Sequence, residues 1–400
     1  MRGERRTPMV TGGVHRAASR RRTAMLGPGC ALVLLLSGLF ALAGPSAADG
    51  YTFTPVAGSP FTGLGAYLAP QQTLFSPNGR YLADTSFNEV YVQTVSKSGV
   101  VGTPGLYESP RAPCKGIPIP IGYVDSVAYS PNGALLAAVE EPRVEERARR
   151  KPAGALHIYR VRGRRLVERS CRALPYTGKN PTPERYYGVA FGPDGLLAVT
   201  NVGENTATLY SVSSAGKAHQ IIVFKTGKDP DAVAFGPTRA GGQGLAVANW
   251  GDGTVSIFTI SSGVVAPAAG SPVPTVGGPT SVAFSPNAVL AVAGSAANLL
   301  YVYAVSFVGA LSGVGAAHTD GPPLSVAFSA DGGLLGTADT SDVAVFSVAA
   351  SGLLAPVSGS PFSPPGGSAS IAFDGHASLL AVAAGLTATG EVAVYSYAPS

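Results

Sequence analysis

An all-β chain of seven similar sheets joined in a ring is predicted by three features of this 400-residue sequence. Gly and Pro, 52 and 33 residues, make up about a fifth of the chain and would interrupt helices every few residues. The 46% of hydrophobic residues is enough to build a core, which excludes a disordered chain. The third feature is a short pattern that recurs seven times, each copy followed by apolar and alternating runs.

The repeated pattern reads QTLFSPNG from Gln72, SVAYSPNG from Ser126 and GVAFGPDG from Gly188. Later runs such as TVSIFTI from Thr254 alternate with period two, which is the signature of a β-strand. Asn-Gly and Asp-Gly dipeptides join the first two strands of the early copies as tight hairpins. Four antiparallel strands in each copy describe a blade, so the sequence predicts a seven-bladed β-propeller. The aromatic anchors of the copies are Phe75, Tyr129, Phe191, Phe235, Phe284, Phe328 and Phe373.

The two ends of the chain predict how the ring closes. The seventh copy stops near Tyr397, after its third strand, whereas FTPVAGSPF from Phe53 reads like the fourth-strand segment LAPVSGSPF from Leu354. We therefore expect the N-terminal strand to complete the C-terminal blade, which leaves no sheet edge exposed. An open solenoid of seven repeats is the alternative.

Residues 1–48 have the three parts of a secretory signal peptide. Seven Arg precede an apolar stretch from Cys30 to Ala43, and the small residues Ser46, Ala47 and Ala48 follow. A membrane-anchoring helix is the alternative, but spanning a bilayer takes about 20 apolar residues. We expect cleavage after Ala48, a single propeller domain over 49–400 with no transmembrane segment, and a secreted or cell-envelope location.

The charge that remains after cleavage excludes one class of partner. Residues 49–400 contain 21 basic and 22 acidic side chains, a net charge of −1, so global charge no longer favours a nucleic-acid partner. A charged insertion, EEPRVEERARRKP over 140–152, interrupts blade 2. It is interpreted as a solvated excursion or, alternatively, as a cap that contacts an anionic envelope polymer.

Two cysteines remain in the predicted mature chain, Cys114 and Cys171. An even pair in a chain bound for an oxidising compartment predicts a disulfide, with two free thiols as the alternative. No zinc-type Cys and His spacing occurs, so no metal site is predicted.

The pattern V-A-F-S-P-N/D-G, an apolar strand, Asn, a Gly/Asp turn and a T-V-S-V-Y-like strand resembles bacterial YVTN-type propeller repeats, a WD-like repeat architecture. Over residues 51–397 the chain also resembles the seven-bladed lactonase family typified by 6-phosphogluconolactonase. That resemblance implies the propeller fold and, as one alternative, hydrolysis of a sugar lactone. Lactonase-like blades often carry G-P-R-H before the first strand, but the matching residues here are Gly278-Pro279-Thr280-Ser281 and Pro322-Pro323-Leu324-Ser325.

A candidate binding site is predicted where the loops that lead into the first strands and the second-to-third strand turns share one face of the ring. Polar and aromatic groups converge there in blades 2–4, whereas blades 5–7 offer mainly Gly, Pro, Ser and Thr. Alternatively, the Asp and Asn side chains only satisfy backbone groups of the turns. The predicted site consists of Tyr123, Asp125, Arg185, Tyr186, Tyr187, Asp229, Asp231, Asn249, Trp250 and Asp252.

These features favour a secreted binding or interaction module over an enzyme. His318 is the only plausible general base, and no G-x-S-x-G motif accompanies it, so no catalytic residue is assigned. A single Trp argues against a quinone-cofactor propeller, and no cofactor is expected. We expect a monomer whose partner is a polar small molecule, an envelope polymer or a protein. The alternatives are a lactonase-like hydrolase and a structural envelope protein.

Overall fold

The computed structural model describes residues 50–62, 71–86, 89–108, 124–140, 154–174, 188–239, 241–275, 277–376, 378–384 and 391–400. Their strands form seven antiparallel sheets, each a path of four strands taken in chain order except in the last blade. The predicted seven-bladed β-propeller is therefore confirmed.

The strands of blades 1–3 follow the N-terminal strand β1 (Tyr51–Pro55). They are β2 (Gln72–Phe75), β3 (Tyr81–Ser86), β4 (Glu89–Thr94) and β5 (Gly105–Glu108) in blade 1; β6 (Val124–Tyr129), β7 (Leu135–Glu140), β8 (Ala155–Arg162) and β9 (Arg165–Ala173) in blade 2; and β10 (Val189–Phe191), β11 (Leu196–Asn201), β12 (Thr206–Val212) and β13 (Ala218–Lys225) in blade 3.

Blades 4–7 contain the remaining strands. They are β14 (Pro230–Pro237), β15 (Gln243–Asn249), β16 (Thr254–Ser261) and β17 (Val264–Pro267) with the short β18 (Val273–Pro274) in blade 4; β19 (Pro279–Phe284), β20 (Val289–Gly294), β21 (Leu299–Val305) and β22 (Leu311–His318) in blade 5; β23 (Ser325–Phe328), β24 (Leu334–Ala338), β25 (Val343–Val348) and β26 (Leu354–Pro356) in blade 6; and β27 (Ser370–Phe373), β28 (Leu379–Ala384) and β29 (Glu391–Pro399) in blade 7.

The ring closes as the sequence predicts. β1 pairs antiparallel with β29, from Tyr51 opposite Pro399 to Pro55 opposite Tyr395, and so supplies the fourth strand of blade 7. The Phe53 ring stacks on Phe362 of blade 6, with ring centroids 5.2 Å apart. This pairing excludes the open solenoid.

The core consists of apolar side chains packed between neighbouring blades. Leu82 and Tyr91 of blade 1 pack against Leu379 and Val392 of blade 7, and the other neighbouring pairs of blades share equivalent clusters. Second strands such as β7 and β20 are buried along their whole length because a blade covers each of their faces. This explains why those strands read as unbroken apolar runs rather than as alternating ones.

The antiparallel order gives the ring two faces with different turns. The second-to-third strand turns and the connections into the first strands lie at one end, which we call the mouth face. The first-to-second and third-to-fourth turns lie at the other end, which we call the rear face. Gly50 and Ser400 are also on the rear face, where the Ser400 N–H donates to the Gly50 carbonyl.

A girdle of side-chain hydrogen bonds joins adjacent first strands around the channel. In each case a polar side chain near the start of one first strand accepts the backbone N–H of the next first strand. The donor and acceptor pairs are Val127 to Gln72 Oε1 (2.8 Å), Val189 to Ser126 Oγ (3.4 Å), Val326 to Ser281 Oγ (3.2 Å), Ile371 to Ser325 Oγ (3.3 Å) and Thr73 to Ser370 Oγ (3.2 Å). At the two junctions of blade 4 the corresponding residues, Gly188 and Ala232, have no hydroxyl to offer.

Candidate functional site

Blades 2, 4 and 5 position one side chain each at the mouth face through the same backbone device. In each blade a β-bulge interrupts the pairing of the first two strands one residue after it begins. The extra residue is Asp125 in blade 2, Asp231 in blade 4 and Thr280 in blade 5. A β-bulge changes the direction in which a side chain leaves the strand. The backbone therefore places these three residues equivalently, and only the chemistry of their side chains differs.

The last residue of each second strand forms another set of equivalent positions on the mouth face. Blades 2, 3 and 4 place Glu140, Asn201 and Asn249 there, and all three are buried. Blades 5 and 7 place Gly294 and Ala384 at the same point. At this level blades 2–4 therefore carry an acid or an amide, whereas β3 of blade 1 ends at Ser86 and, in blade 6, the buried Asp339 directly follows the second strand.

Blade 4 gathers four of the predicted site residues around one turn. The Asp252 carboxylate accepts the Lys228 backbone N–H at 2.8 Å and the Thr254 hydroxyl at 2.7 Å. The Trp250 backbone N–H donates to the Asp229 backbone carbonyl at 2.9 Å. Asp229 adopts φ of +50°, and its carboxylate packs so closely on Gly251 that a Cβ there would lie 2.3 Å from Oδ2. These carboxylates stabilise the turn, which is the role that the alternative interpretation gave them.

Asn249 lies beneath this turn and contributes a buried acceptor. Its Nδ2 donates to the hydroxyls of Thr254 and Ser256, each at 2.9 Å. The side chain is fully buried and Oδ1 has no hydrogen-bond partner. Because an unsatisfied buried polar atom is costly, Oδ1 is the clearest place in this blade for an additional donor.

Trp250 forms the rim between blades 4 and 5. Its indole ring covers Gly278, where a Cβ would lie only 2.6 Å from the ring, so a side chain at 278 would displace the indole. The residue remains 46% exposed. An indole that packs on backbone and is still nearly half exposed has ring surface that a ligand could contact.

A second cluster, which sequence analysis did not identify, lies beside the mouth face of blade 2. His157 Nδ1 is 2.8 Å from Glu168 Oε1, and His157 Nε2 is 3.6 Å from both Glu140 Oε2 and Cys171 Sγ. His157, Glu168 and Cys171 form the metal-ligand-like group found among the described residues. If Cys171 forms the predicted disulfide, its sulfur is not a thiolate ligand, and we assign no metal to this group. Cross-strand register, with His157 opposite Cys171, is the signal that would have found this cluster.

The carboxyl with the most displaced pKa lies in blade 1, away from these residues. Burial raises the pKa of Asp84 to about 7, against the opposing effect of hydrogen bonds from Thr73 and Gln93. Burial also raises the pKa of Tyr129, whose hydroxyl has no hydrogen-bond partner. Asp84 lies opposite Tyr91, on the face of blade 1 that packs against blade 7, and does not belong to the mouth face.

The structure describes six of the ten predicted site residues. Asp229, Asn249, Trp250 and Asp252 come together in blade 4, Asp231 lies at the adjoining bulge, and Asp125 lies two blades away. The predicted site residues Tyr123, Arg185, Tyr186 and Tyr187 lie outside the described residues, as do Cys114 and residues 141–152 of the charged insertion. The Cys114–Cys171 pairing and the site itself therefore stay predictions.

The comparisons with known proteins identify the fold. No family model matches the chain, and no curated protein matches it. Among solved structures it is similar to the periplasmic gluconolactonase PpgL of Pseudomonas aeruginosa, with 17% identity over 79% of this chain and 88% of that chain and a TM-score of 0.58. It is also similar to a provisionally named 6-phosphogluconolactonase of Bacteroides fragilis, with 15% identity, 74% and 84% coverage and a TM-score of 0.57.

A third neighbour has no enzyme name. The β-propeller domain of Cps50 (Swd1) from Myceliophteria thermophila matches with 13% identity over 86% of this chain and 99% of that chain, and a TM-score of 0.60. At these identities the similarities establish a lactonase-like seven-bladed fold and leave activity to the residues of the site.

Proposed function

We propose that this protein is a ligand-binding β-propeller whose site is the polar sector of the mouth face, defined by Asp125, Asn201, Asp229, Asp231, Asn249, Trp250 and Asp252. The observation that carries the proposal is the contrast between equivalent positions. Bulge and strand-end positions hold acids and amides in blades 2 and 4, and Thr, Gly or Ala in blades 5 and 7. The bulges of blades 2, 4 and 5 share one backbone pairing, so turn geometry alone does not account for Asp in two of them and Thr in the third.

The chemistry of the sector favours a ligand rich in O–H or N–H donors. Its described side chains are mostly carboxylates and amides, and the buried Asn249 Oδ1 needs a donor. The exposed Trp250 ring supplies a surface on which a flat or weakly polar ligand face can stack. Arg185 is predicted to add a cation, which would hold a carboxylate or phosphate group of the same ligand by paired hydrogen bonds.

Trp250 also provides the assay, because it is the only tryptophan of the chain. Its fluorescence would be followed while monosaccharides, aldonates and diamines are titrated separately. We expect one class to bind, and Asp231→Asn to weaken that binding about tenfold. Thr280→Ala, the matched change at the equivalent bulge of blade 5, should alter it less than twofold. Equal effects of the two substitutions, or no response to any class, would contradict the proposal.

The second candidate is a lactonase-like hydrolase, favoured by the similarity to a periplasmic gluconolactonase. Glucono-δ-lactone hydrolysis by the purified protein tests it directly. If the protein hydrolyses the lactone and Arg185→Ala or His318→Ala abolishes that turnover, the hydrolase becomes the favoured function in place of the binding module. Without turnover and without any bound ligand, the structural envelope role would be favoured.

The proposal includes export and a Cys114–Cys171 disulfide. Support comes from the predicted signal peptide, from the even pair of cysteines that remains after it, and from the periplasmic location named for one structural neighbour. Among the described residues, no helix is long and apolar enough to cross a membrane. N-terminal sequencing of the exported protein should begin at Asp49, and retention of residues 1–48 would contradict the predicted cleavage.

A further inference from the structure

The third-to-fourth strand turns form the outer rim of the rear face, and their tips differ sharply in chemistry. Each tip packs on the preceding blade, so the tips follow one another around the rim. Gly263 of blade 4 approaches Ile221 of blade 3, Gly309 of blade 5 approaches Thr259 of blade 4, and Gly352 of blade 6 approaches Val314 of blade 5.

The tips of blades 4, 5 and 6 carry the most exposed large apolar side chains among the described residues. Val264, Phe307, Val308 and Leu353 are 65%, 68%, 63% and 53% exposed. The turns that bear them, Ser262–Val264, Ser306–Gly309 and Ala350–Leu353, contain no charged residue. Single exposed apolar residues are ordinary, but three successive tips on one rim are not explained by packing within the chain.

The tips of blades 1, 2 and 3 on the same rim are cationic. Lys97, Arg164 and Lys217 are exposed there, and Arg164 is oriented by hydrogen bonds from Nη1 to the carbonyl and hydroxyl of Thr103, at 3.1 and 2.5 Å. The acidic turn residues of the rear face, Asp194, Asp331 and the buried Asp374, lie in the first-to-second strand turns that surround the channel, inside this rim.

We infer that the rear rim docks on an anionic phospholipid bilayer, with the apolar tips of blades 4–6 inserted among the acyl chains and the cationic tips of blades 1–3 against the headgroups. Apolar insertion together with cation attraction is the combination that binds peripheral proteins to anionic lipid surfaces. The cationic tips favour an anionic bilayer over a second copy of the chain as the partner of the rear rim. A second copy would bring the same cations to the interface, and the like charges would repel. The mouth face and its polar sector would then face away from the bilayer.

Co-sedimentation with phosphatidylcholine vesicles and with 3:1 phosphatidylcholine–phosphatidylglycerol vesicles tests the inference. We expect binding to the anionic vesicles, weakened at least tenfold by Phe307→Ser combined with Val308→Ser. Lys97→Gln combined with Lys217→Gln should weaken it several-fold and flatten its salt dependence. Ile222→Ser, an exposed apolar residue of β13 away from the tips, is the matched control and should change binding less than twofold.

Tryptophan quenching by brominated lipid then reports which face docks. Trp250 on the mouth face should remain unquenched in the wild-type protein, whereas Phe307→Trp in a Trp250→Phe background should be quenched. The inference is overturned if anionic vesicles do not bind the protein or if Trp250 is the residue quenched. It is equally overturned if Phe307 and Val308 drive self-association on gel filtration in place of vesicle binding.

Discussion

Replacing Asp84 by Asn should remove a pH-dependent loss of stability from the protein. The Asp84 side chain in β3 is fully buried, and it accepts hydrogen bonds from the Thr73 hydroxyl at 2.6 Å and Gln93 Nε2 at 2.7 Å. These two bonds favour the carboxylate, but desolvation outweighs them and raises the pKa of Asp84 from 3.8 to about 7. The folded state therefore holds a proton that the unfolded chain releases.

The sign and size of the effect follow from this difference. Between the unfolded pKa of 3.8 and the folded pKa of about 7, the folded state binds more protons, so stability falls as pH rises through that window. At about 1.4 kcal/mol for each pH unit, the whole window amounts to about 4 kcal/mol, of which roughly 2–3 kcal/mol fall between pH 5 and pH 8. Asn is isosteric and does not ionise; its Oδ1 can accept the hydrogen bond from Gln93 while its Nδ2 donates to the Thr73 hydroxyl.

Urea unfolding of the wild type and Asp84→Asn at pH 5 and pH 8 measures this contribution. We expect the free energy of unfolding of the wild type to fall by roughly 2–3 kcal/mol more than that of the variant. Asp331→Asn is the control, because hydrogen bonds from Ser329 and the Gly333 N–H lower the pKa of Asp331, which titrates below this range. Identical pH dependence in the wild type and Asp84→Asn would refute the assignment of a buried, protonated Asp84.

Three further predictions concern how the ring is held together. Ser370→Ala should lower the free energy of unfolding by about 1–2 kcal/mol, because it removes the acceptor of the buried Thr73 N–H. Ala232→Ser should raise the free energy of unfolding by up to about 1 kcal/mol, because it adds the missing hydroxyl. Urea unfolding midpoints measure both effects. Deleting residues 51–57 should lower the melting temperature far more than deleting an exposed turn, because it leaves one edge of β29 without its partner strand. A small decrease in melting temperature would argue against closure of the ring by β1. Mass spectrometry of the unreduced exported protein should find Cys114 linked to Cys171, a bridge worth about 4 kcal/mol, and alkylation of both thiols would disprove the pairing.

The blades and the closure were predictable because both depend on local signals. Alternation, turn dipeptides and the repeated GSPF segments at Gly58 and Gly359 each report the conformation of a few consecutive residues. Closure needed one long-range comparison, which the internal repeat made available: Phe61 and Phe362 form equivalent bridges to the third strands of their blades.

The polar details of the structure depend on contacts between strands and blades and were not predictable. Thr73, Asp84 and Gln93 look like outward-facing residues of three separate strands, yet they meet in one buried network. His157 lies in an alternating run of the sequence, but its contacts with Glu168 and Cys171 require the register of β8 and β9. For the mouth face, the sequence indicated which blades are polar, while the bulges that place Asp125 and Asp231 emerged only from the pairing.

The gaps in the hydrogen-bond girdle have a mechanical consequence. Both lie at the borders of blade 4, where Gly188 and Ala232 stand in place of the tethering side chains. At one of these borders the blades approach closely instead, since a Cβ on Gly188 would lie 2.7 Å from the Asp231 carbonyl. Blade 4 is thus the one sector whose first strand lacks these side-chain bonds to both neighbours, although the Asp229 backbone N–H donates to Asn205 Oδ1 of blade 3 at 2.8 Å. It also carries five of the seven residues of the polar sector. We therefore expect the two sides of blade 4 to be where the channel can widen with the fewest first-strand hydrogen bonds to break, so the channel should adapt to a bound ligand there first.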